Sequence, residues 1–165
     1  MNVKTVPSGY SRLQIVLHWL VFALIAQQYL FKGAISAAWD RVTDGMEIGF
    51  DPLVFTHVGG GALVLLFAMW RISLRARHGV PEAIEANKLQ GALAKLTHFG
   101  LYALMILMPV SGSVAWFGGV EAAAQGHNVM KIVLLALVAL HVLGAFYHHF
   151  VLRDGTLARM RVAKG

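Results

Sequence analysis

Residues 127–141 read HNVMKIVLLALVALH, and the two histidines that bound this stretch carry most of what the chain says about its fold. His127 and His141 stand 14 residues apart, and Lys131 is the single charge between them. At about 100° per residue the separation falls roughly 40° short of four whole turns, so both imidazoles project from nearly the same helix face. The rise between them is about 21 Å at 1.5 Å per residue. Continued to Phe150, the apolar run reaches the roughly 20 residues that a membrane-spanning helix needs.

Three further stretches have the same character. Spans are expected over residues 13–31, 53–70, 98–117 and 127–150, which predicts an all-α fold, an integral membrane four-helix bundle. Turn-forming or charged residues separate them, from Gly45 to Gly49, from Arg75 to Pro81 and from Gly118 to Glu121. Pro109 falls inside the third span, where neighbouring helices can satisfy the carbonyl it frees, and a kink is expected there. Hydrophobic residues make up 58% of the chain and charged residues 13%. A soluble domain is about half apolar and about a quarter charged, so lipid is the expected solvent. The first span is read as retained rather than as a cleaved leader. It is long for a leader's apolar core and it carries His18, Gln27 and Gln28, although Ala34-Ile35-Ser36 is a weak small-x-small site.

The net charge is +6, and its distribution assigns sidedness. Lys4 and Arg12 give the N-terminal segment +2. Arg71, Arg75, Arg77, Lys88 and Lys95 against Glu82 and Glu85 give the second connection +3. Arg153, Arg159, Arg161 and Lys164 against Asp154 give the tail +3. The first connection sets Lys32 and Arg41 against Asp40, Asp44, Glu47 and Asp51, for −2, and the third holds only Glu121. By the positive-inside rule both termini are expected in the cytoplasm of a bacterial inner membrane, with two outward connections.

The chain has no cysteine, which excludes disulfides, iron–sulfur clusters and haem attached through C-x-x-C-H. It has eight histidines, and only His78 sits well inside a polar connection. Polar groups in the apolar slab are expensive and commonly functional, though a single one also serves as interhelical glue. As a set they interlock. His57 opens the second span on the outer side, as His127 opens the fourth. His18 lies about a turn and a half into the first span from the inner side, near the depth of His141. The spacing therefore pairs His57 with His127 and His18 with His141, two depth-matched axial pairs for two haem b groups stacked along the fourth helix. Two imidazoles on one iron favour electron transfer over ligand binding at the metal. Gly59, Gly60 and Gly61 would let a flat macrocycle approach the second helix, and equally would let two helices pack closely. Lys131, one turn after His127, is a propionate partner or a lysine snorkelling to the outer surface. Met105, Met108 and Met130 are read as packing residues.

Tyr10-Ser11-Arg12-Leu13-Gln14-Ile15 followed by His18-Trp19 resembles the opening of the bacterial cytochrome b561 family, part of a wider group that includes the cytochrome b subunits of nickel–iron hydrogenases. The likeness continues in His57-Val58 with glycines after it, in Leu107-Met108-Pro109-Val110-Ser111-Gly112, and from His148-His149-Phe150 through Asp154-Gly155-Thr156-Leu157. It covers nearly the whole chain and implies one transmembrane cytochrome b domain over residues 1–165. Carried over residue by residue, the family pattern places haem ligands at His18, His57, His127 and His141. It implies ubiquinone as redox partner. One member type oxidises superoxide at the outer face. The short third connection of this chain leaves its own outer substrate open.

His148 lies seven residues after His141, about 10 Å nearer the cytoplasm, and His98 opens the third span. Either could donate to a quinone, since imidazole titrates near neutrality, or simply meet headgroups or a helix end. His149 points about 100° away from His148 and is read as interfacial. Arg12 and Arg71 are inner-haem propionate contacts or positive-inside anchors. The expected function is a di-haem conduit between an outer donor and membrane quinone, an oxidoreductase if it works alone. The alternative is a membrane-anchor cytochrome b subunit of a larger redox complex. A haem-free transporter is the third reading, since buried histidines also serve proton relays. The acidic outer connections favour a cationic or protein donor at least as much as superoxide.

Overall fold

The computed structural model describes residues 7–82, 84 and 87–164. Lys4 and Glu85, counted in the charge balance above, lie outside the described residues. Five α-helices follow in order: α1 Arg12–Leu30, α2 Lys32–Thr43, α3 Pro52–His78, α4 Lys88–Gly118 and α5 Glu121–Phe146. A π-helical turn, Tyr147–Leu152, continues α5, and a 3-10 turn, Ala158–Met160, lies in the tail. Four of these helices, α1, α3, α4 and α5 with its extension, are long and apolar enough to cross a membrane.

Three of the spans, α1, α3 and α4, begin where a side chain can satisfy free N–H groups. Ser11 and Gln14 form a capping box on α1: Gln14 N donates to Ser11 Oγ at 3.3 Å, and Ser11 N donates to Gln14 Oε1 at 2.9 Å. Asp51 caps α3, accepting from Leu53 N at 2.8 Å, with Pro52 in the first turn. Asn87 caps α4, accepting from Gln90 N at 2.9 Å. Gly119 closes α4 in the left-handed conformation at φ 65°, which a Cβ would disfavour.

Several boundaries differ from the sequence expectation. α3 runs on to His78 and α4 starts at Lys88, because their polar turns remain helical beyond the apolar slab. α5 begins at Glu121, so the third connection is only the turn at Gly119 and Val120. α4 passes through Pro109 as one helix. The first connection, read as turns and charge, contains the helix α2.

α1 packs on α3, α3 on α4, and α4 on α5. The central core is small: Val21, Val64, Ala68 and Met105, with Leu24, Ile25, Phe67 and Tyr102 against it. Large apolar side chains such as Phe99, Phe117 and Ile132 are exposed. That inverts a soluble protein and fits helices whose outer faces meet lipid. At one end of the bundle the start of α1, the end of α3 and the tail are tied together; this is the terminal end. Gln14 Nε2 donates to Gly79 O at 3.1 Å, Trp19 Nε1 to Met160 O at 2.9 Å, and Lys164 N to Tyr10 O at 3.2 Å. Arg159 Nη1 donates to Glu82 O at 2.7 Å. The distal end carries α2 and the α4–α5 turn.

Candidate functional site

α5 packs extensively on α4 but not comparably on α1 or α3. Its histidine face looks across toward those two helices. Near the terminal end His141 faces His18 of α1, with ring centres 6.0 Å apart and planes inclined by 55°. An iron bound to two imidazole nitrogens at roughly 2 Å each, the usual metal–imidazole distance, separates ring centres by about 6 Å. His98 of α4 stands edge-on to His141, 5.1 Å away at 82°. The Nδ1 of His98 lies 2.7 Å from the Ala94 carbonyl of its own helix.

Arg71 of α3 is the charged neighbour of this cluster, acting on both His18 and His141. Its Nε and Nη1 are buried without a hydrogen-bond partner. A guanidinium in that state calls for an anion, and a haem propionate is one. Arg12 is exposed on the first turn of α1.

Toward the distal end His57 of α3 and His127 of α5 line one cavity. Its walls include Gln28, Tyr29 and Lys32 from α1, Met105, Met108 and Pro109 from α4, and Lys131 from α5. The two histidines are held differently. His127 Nδ1 lies 3.0 Å from Met108 O and 3.2 Å from Ser111 Oγ, which leaves Nε2 free. A metal-bound imidazole needs this kind of anchor on its other nitrogen. Gly112 makes room for it, since a Cβ there would sit 3.2 Å from His127 Cε1. His57 Nδ1 is buried with no partner. Of the glycines after His57, Gly60 lies against Gln27 and Gln28, where a Cβ would collide with the Gln28 amide, whereas a Cβ at Gly59 or Gly61 would meet nothing within 4 Å. Lys131 Nζ donates to Asn128 Oδ1 at 2.8 Å while its stem lines the cavity, and Tyr29 Oη donates to Lys131 O at 2.6 Å.

The donor set fits haem. Among the described residues no three His, Cys, Asp or Glu side chains converge as a self-sufficient metal site. Each histidine pair offers two ligands, and a porphyrin supplies the other four.

His148 is brought to Asp154 rather than left as a lone interfacial histidine. Its Nδ1 hydrogen-bonds Asp154 Oδ2, and Thr156 N donates to Asp154 Oδ1 at 2.9 Å. Burial alone would raise the Asp154 carboxyl, but the bonds from Thr156 and His148 outweigh it and hold the group below its ordinary value. Burial also holds the Tyr10 phenol above its usual value, against the opposing charge of Arg75. His149 is exposed against Phe150.

Spacing in the sequence does not single out Gln28, Tyr29, Lys32, Ser111, Gly112 or Asp154 as site residues. Ser111, Gly112 and Asp154 stand inside motifs that carry the family likeness but, in the sequence alone, no mechanism. Lys32 is, by sequence, one cation in an acidic connection.

Comparison with known proteins gives the same picture along the chain. The family model described as prokaryotic cytochrome b561 matches residues 9–161. Cytochrome b562 of Cereibacter sphaeroides is 35% identical over 161 residues, covering 94% of this chain and 97% of that protein. The probable superoxide oxidase CybB of Yersinia pestis is 29% identical, covering 94% of this chain and 97% of that protein. Cytochrome b561 homolog 1 of Escherichia coli is 24% identical, covering 92% and 96%. A match that runs from the capping box of α1 to the tail, over helices that present paired histidines, has one consequence: the chain belongs to the prokaryotic cytochrome b561 family.

Proposed function

We propose that this membrane electron-transfer cytochrome holds two haems, one between His18 and His141 and one between His57 and His127, and works between an outer donor and membrane quinone. The single observation that supports it most is the facing of His18 and His141 at 6.0 Å, with a second histidine pair on one cavity further along α5. Bound there, the haems supply one-electron carriers, one toward each face of the bilayer.

The residues then divide the work. His18 with His141, and His57 with His127, would each hold one haem, and a pair of imidazole ligands would suit it to electron transfer rather than to ligand binding. Arg71 would pair with haem propionates at the inner site, and Lys131 at the outer one. Both termini lie in the cytoplasm of the bacterial inner membrane, with the cationic end inside. Quinone is reduced near the inner pair. There His148, oriented through Nδ1 by Asp154, presents Nε2 as a hydrogen-bonding and proton-carrying group, and His98 lies beside His141. At the outer face the exposed Asp40, Asp44, Glu47 and Asp51 repel an anion such as superoxide. Lys32 and Lys131 line the cavity itself and attract one. A cationic or protein donor meets the acidic rim directly.

Stopped-flow oxidation of the reduced protein by a soluble ubiquinone tests this assignment. His148→Ala is expected to slow electron transfer to quinone about 10-fold or more, the low end of what a positioned proton donor contributes, with both haem spectra intact. Unchanged quinone kinetics, or loss of a haem in that variant, contradicts the placement of quinone at His148.

A further inference from the structure

The two histidines of the outer cavity are unequally supported. His127 has its Nδ1 fixed by Met108 O and Ser111 Oγ. His57 has its Nδ1 buried and unpartnered. An imidazole that ligates through Nε2 carries its proton on Nδ1, and that N–H needs an acceptor to fix ring orientation and basicity.

Most polar groups of the cavity wall are committed elsewhere or cannot accept. Tyr29 Oη donates to Lys131 O, and Lys131 Nζ donates to Asn128. Lys32 is a cation without acceptor capacity. Gln28 differs from all of these. It lines the same cavity, and both atoms of its amide are buried with no partner. Its place is prepared, because the amide occupies the space a Cβ on Gly60 would fill, and Gly60 stands one turn after His57 on α3. Buried amides left unpaired are costly, and here a residue with an unpaired acceptor and one with an unpaired ring nitrogen line one cavity.

We propose, on the reading of His57 and His127 as an axial pair, that Gln28 is a positioning residue for the outer haem: its amide oxygen accepts the Nδ1 proton of His57 when Nε2 is bound to iron. The role matches that of the Met108 carbonyl for His127, supplied from α1 instead of α4. Strengthening the acceptor makes the imidazole more electron-donating and favours the oxidised iron. Removing it has the opposite effect.

The test is a spectroelectrochemical titration of the purified full-length protein with its haems, together with the low-spin electron paramagnetic resonance signals of the oxidised form. Gln28→Leu is expected to raise the midpoint potential of the outer haem and to move its resonance signal, with the inner haem unmoved. Gln28→Glu is expected to lower the same potential. Leucine also removes the polar filling of the site, so glutamate serves as the second variant. An outer site emptied by leucine but filled at lowered potential in the glutamate variant still supports the proposal. Two variants with wild-type outer potential and signal overturn it. So does loss of the outer haem from both with the inner haem intact, which makes Gln28 a packing residue against Gly60. Failure of the underlying reading is separate: it is a wild-type protein whose outer spectral component survives His57→Ala.

Discussion

Gly112 and His127 are in contact across α4 and α5, and the contact explains why the Ser111-Gly112 pair stands where it does. A Cβ at 112 would lie 3.2 Å from His127 Cε1 and 3.3 Å from Nδ1. His127 cannot retreat freely, because Met108 O and Ser111 Oγ hold that same Nδ1. Gly112→Ala is therefore expected to cost about 1–3 kcal/mol, the usual range for an added methyl in a packed site. The loss should appear as a lower melting temperature together with a shifted outer-haem absorption band. A melt and spectrum identical to wild type would mean that His127 has slack the bonds do not suggest. The histidines themselves were legible in the sequence, because helical periodicity and rise convert spacing into face and depth. Their supports were not. A backbone carbonyl such as Met108 O leaves no trace in residue identity, and Gly112 is informative only once the helix opposite it is known. Gln28 was visible as a polar residue in a span, but its want of a partner is a property of the packed bundle.

At the scale of elements, the four long helices followed from hydropathy, while α2 did not. Its residues carry Lys32, Asp40 and Arg41 among small side chains, and such a composition reads as a connection unless the amphipathic arrangement is noticed. The early start of α4 had a signal in Asn87, an N-cap residue before Lys88. The fourth span ends near the expected residue 150, at Leu152, but the direction of its last side chains is not legible in the sequence. The turn Tyr147–Leu152 is π-helical, so 100° per residue no longer applies, and His148 is aimed by Asp154 rather than by helix periodicity. Hydrogen bonds from Thr156 and His148 hold Asp154 below its ordinary 3.8 despite burial. A carboxyl depressed in the folded state contributes stability that is fully present above its unfolded value and is lost as pH falls through the folded one. The tail should therefore be insensitive to acid down to about the ordinary carboxylate range and loosen below it. Asp154→Asn should flatten that acid limb and cost about 1 kcal/mol at neutral pH. Hydrogen exchange of the Thr156 amide against pH measures both. An acid limb unchanged in the variant would assign the transition to another carboxylate.

For the molecule as a whole, charge and histidine placement point the same way. The terminal end gathers the basic segments and ties them with Gln14–Gly79, Trp19–Met160 and Arg159–Glu82 bonds, while the distal end carries the acidic connection and the cavity of His57 and His127. The proposed orientation, with both termini in the cytoplasm, predicts that a reporter fused after the C-terminus is active only on the cytoplasmic side, and activity only in the periplasm would invert the proposed direction of the conduit. The family and the membrane bundle were readable from one chain because the spans are long and the motifs run nearly end to end. The outer donor was not, because formal charge in the connections says acid, while Lys32 and Lys131 line the cavity.

The central claim, two haems each held by its own histidine pair, is met most directly by measuring haem b per polypeptide in the wild type and in single His→Ala variants at 18, 57, 127 and 141. Two haems are expected in the wild type, removed by acid–acetone because no cysteine binds them. His57→Ala and His127→Ala should lose the same spectral component, and His18→Ala and His141→Ala the other. A wild type with one haem and all four histidines intact, or variants that pair in any other combination, would contradict it.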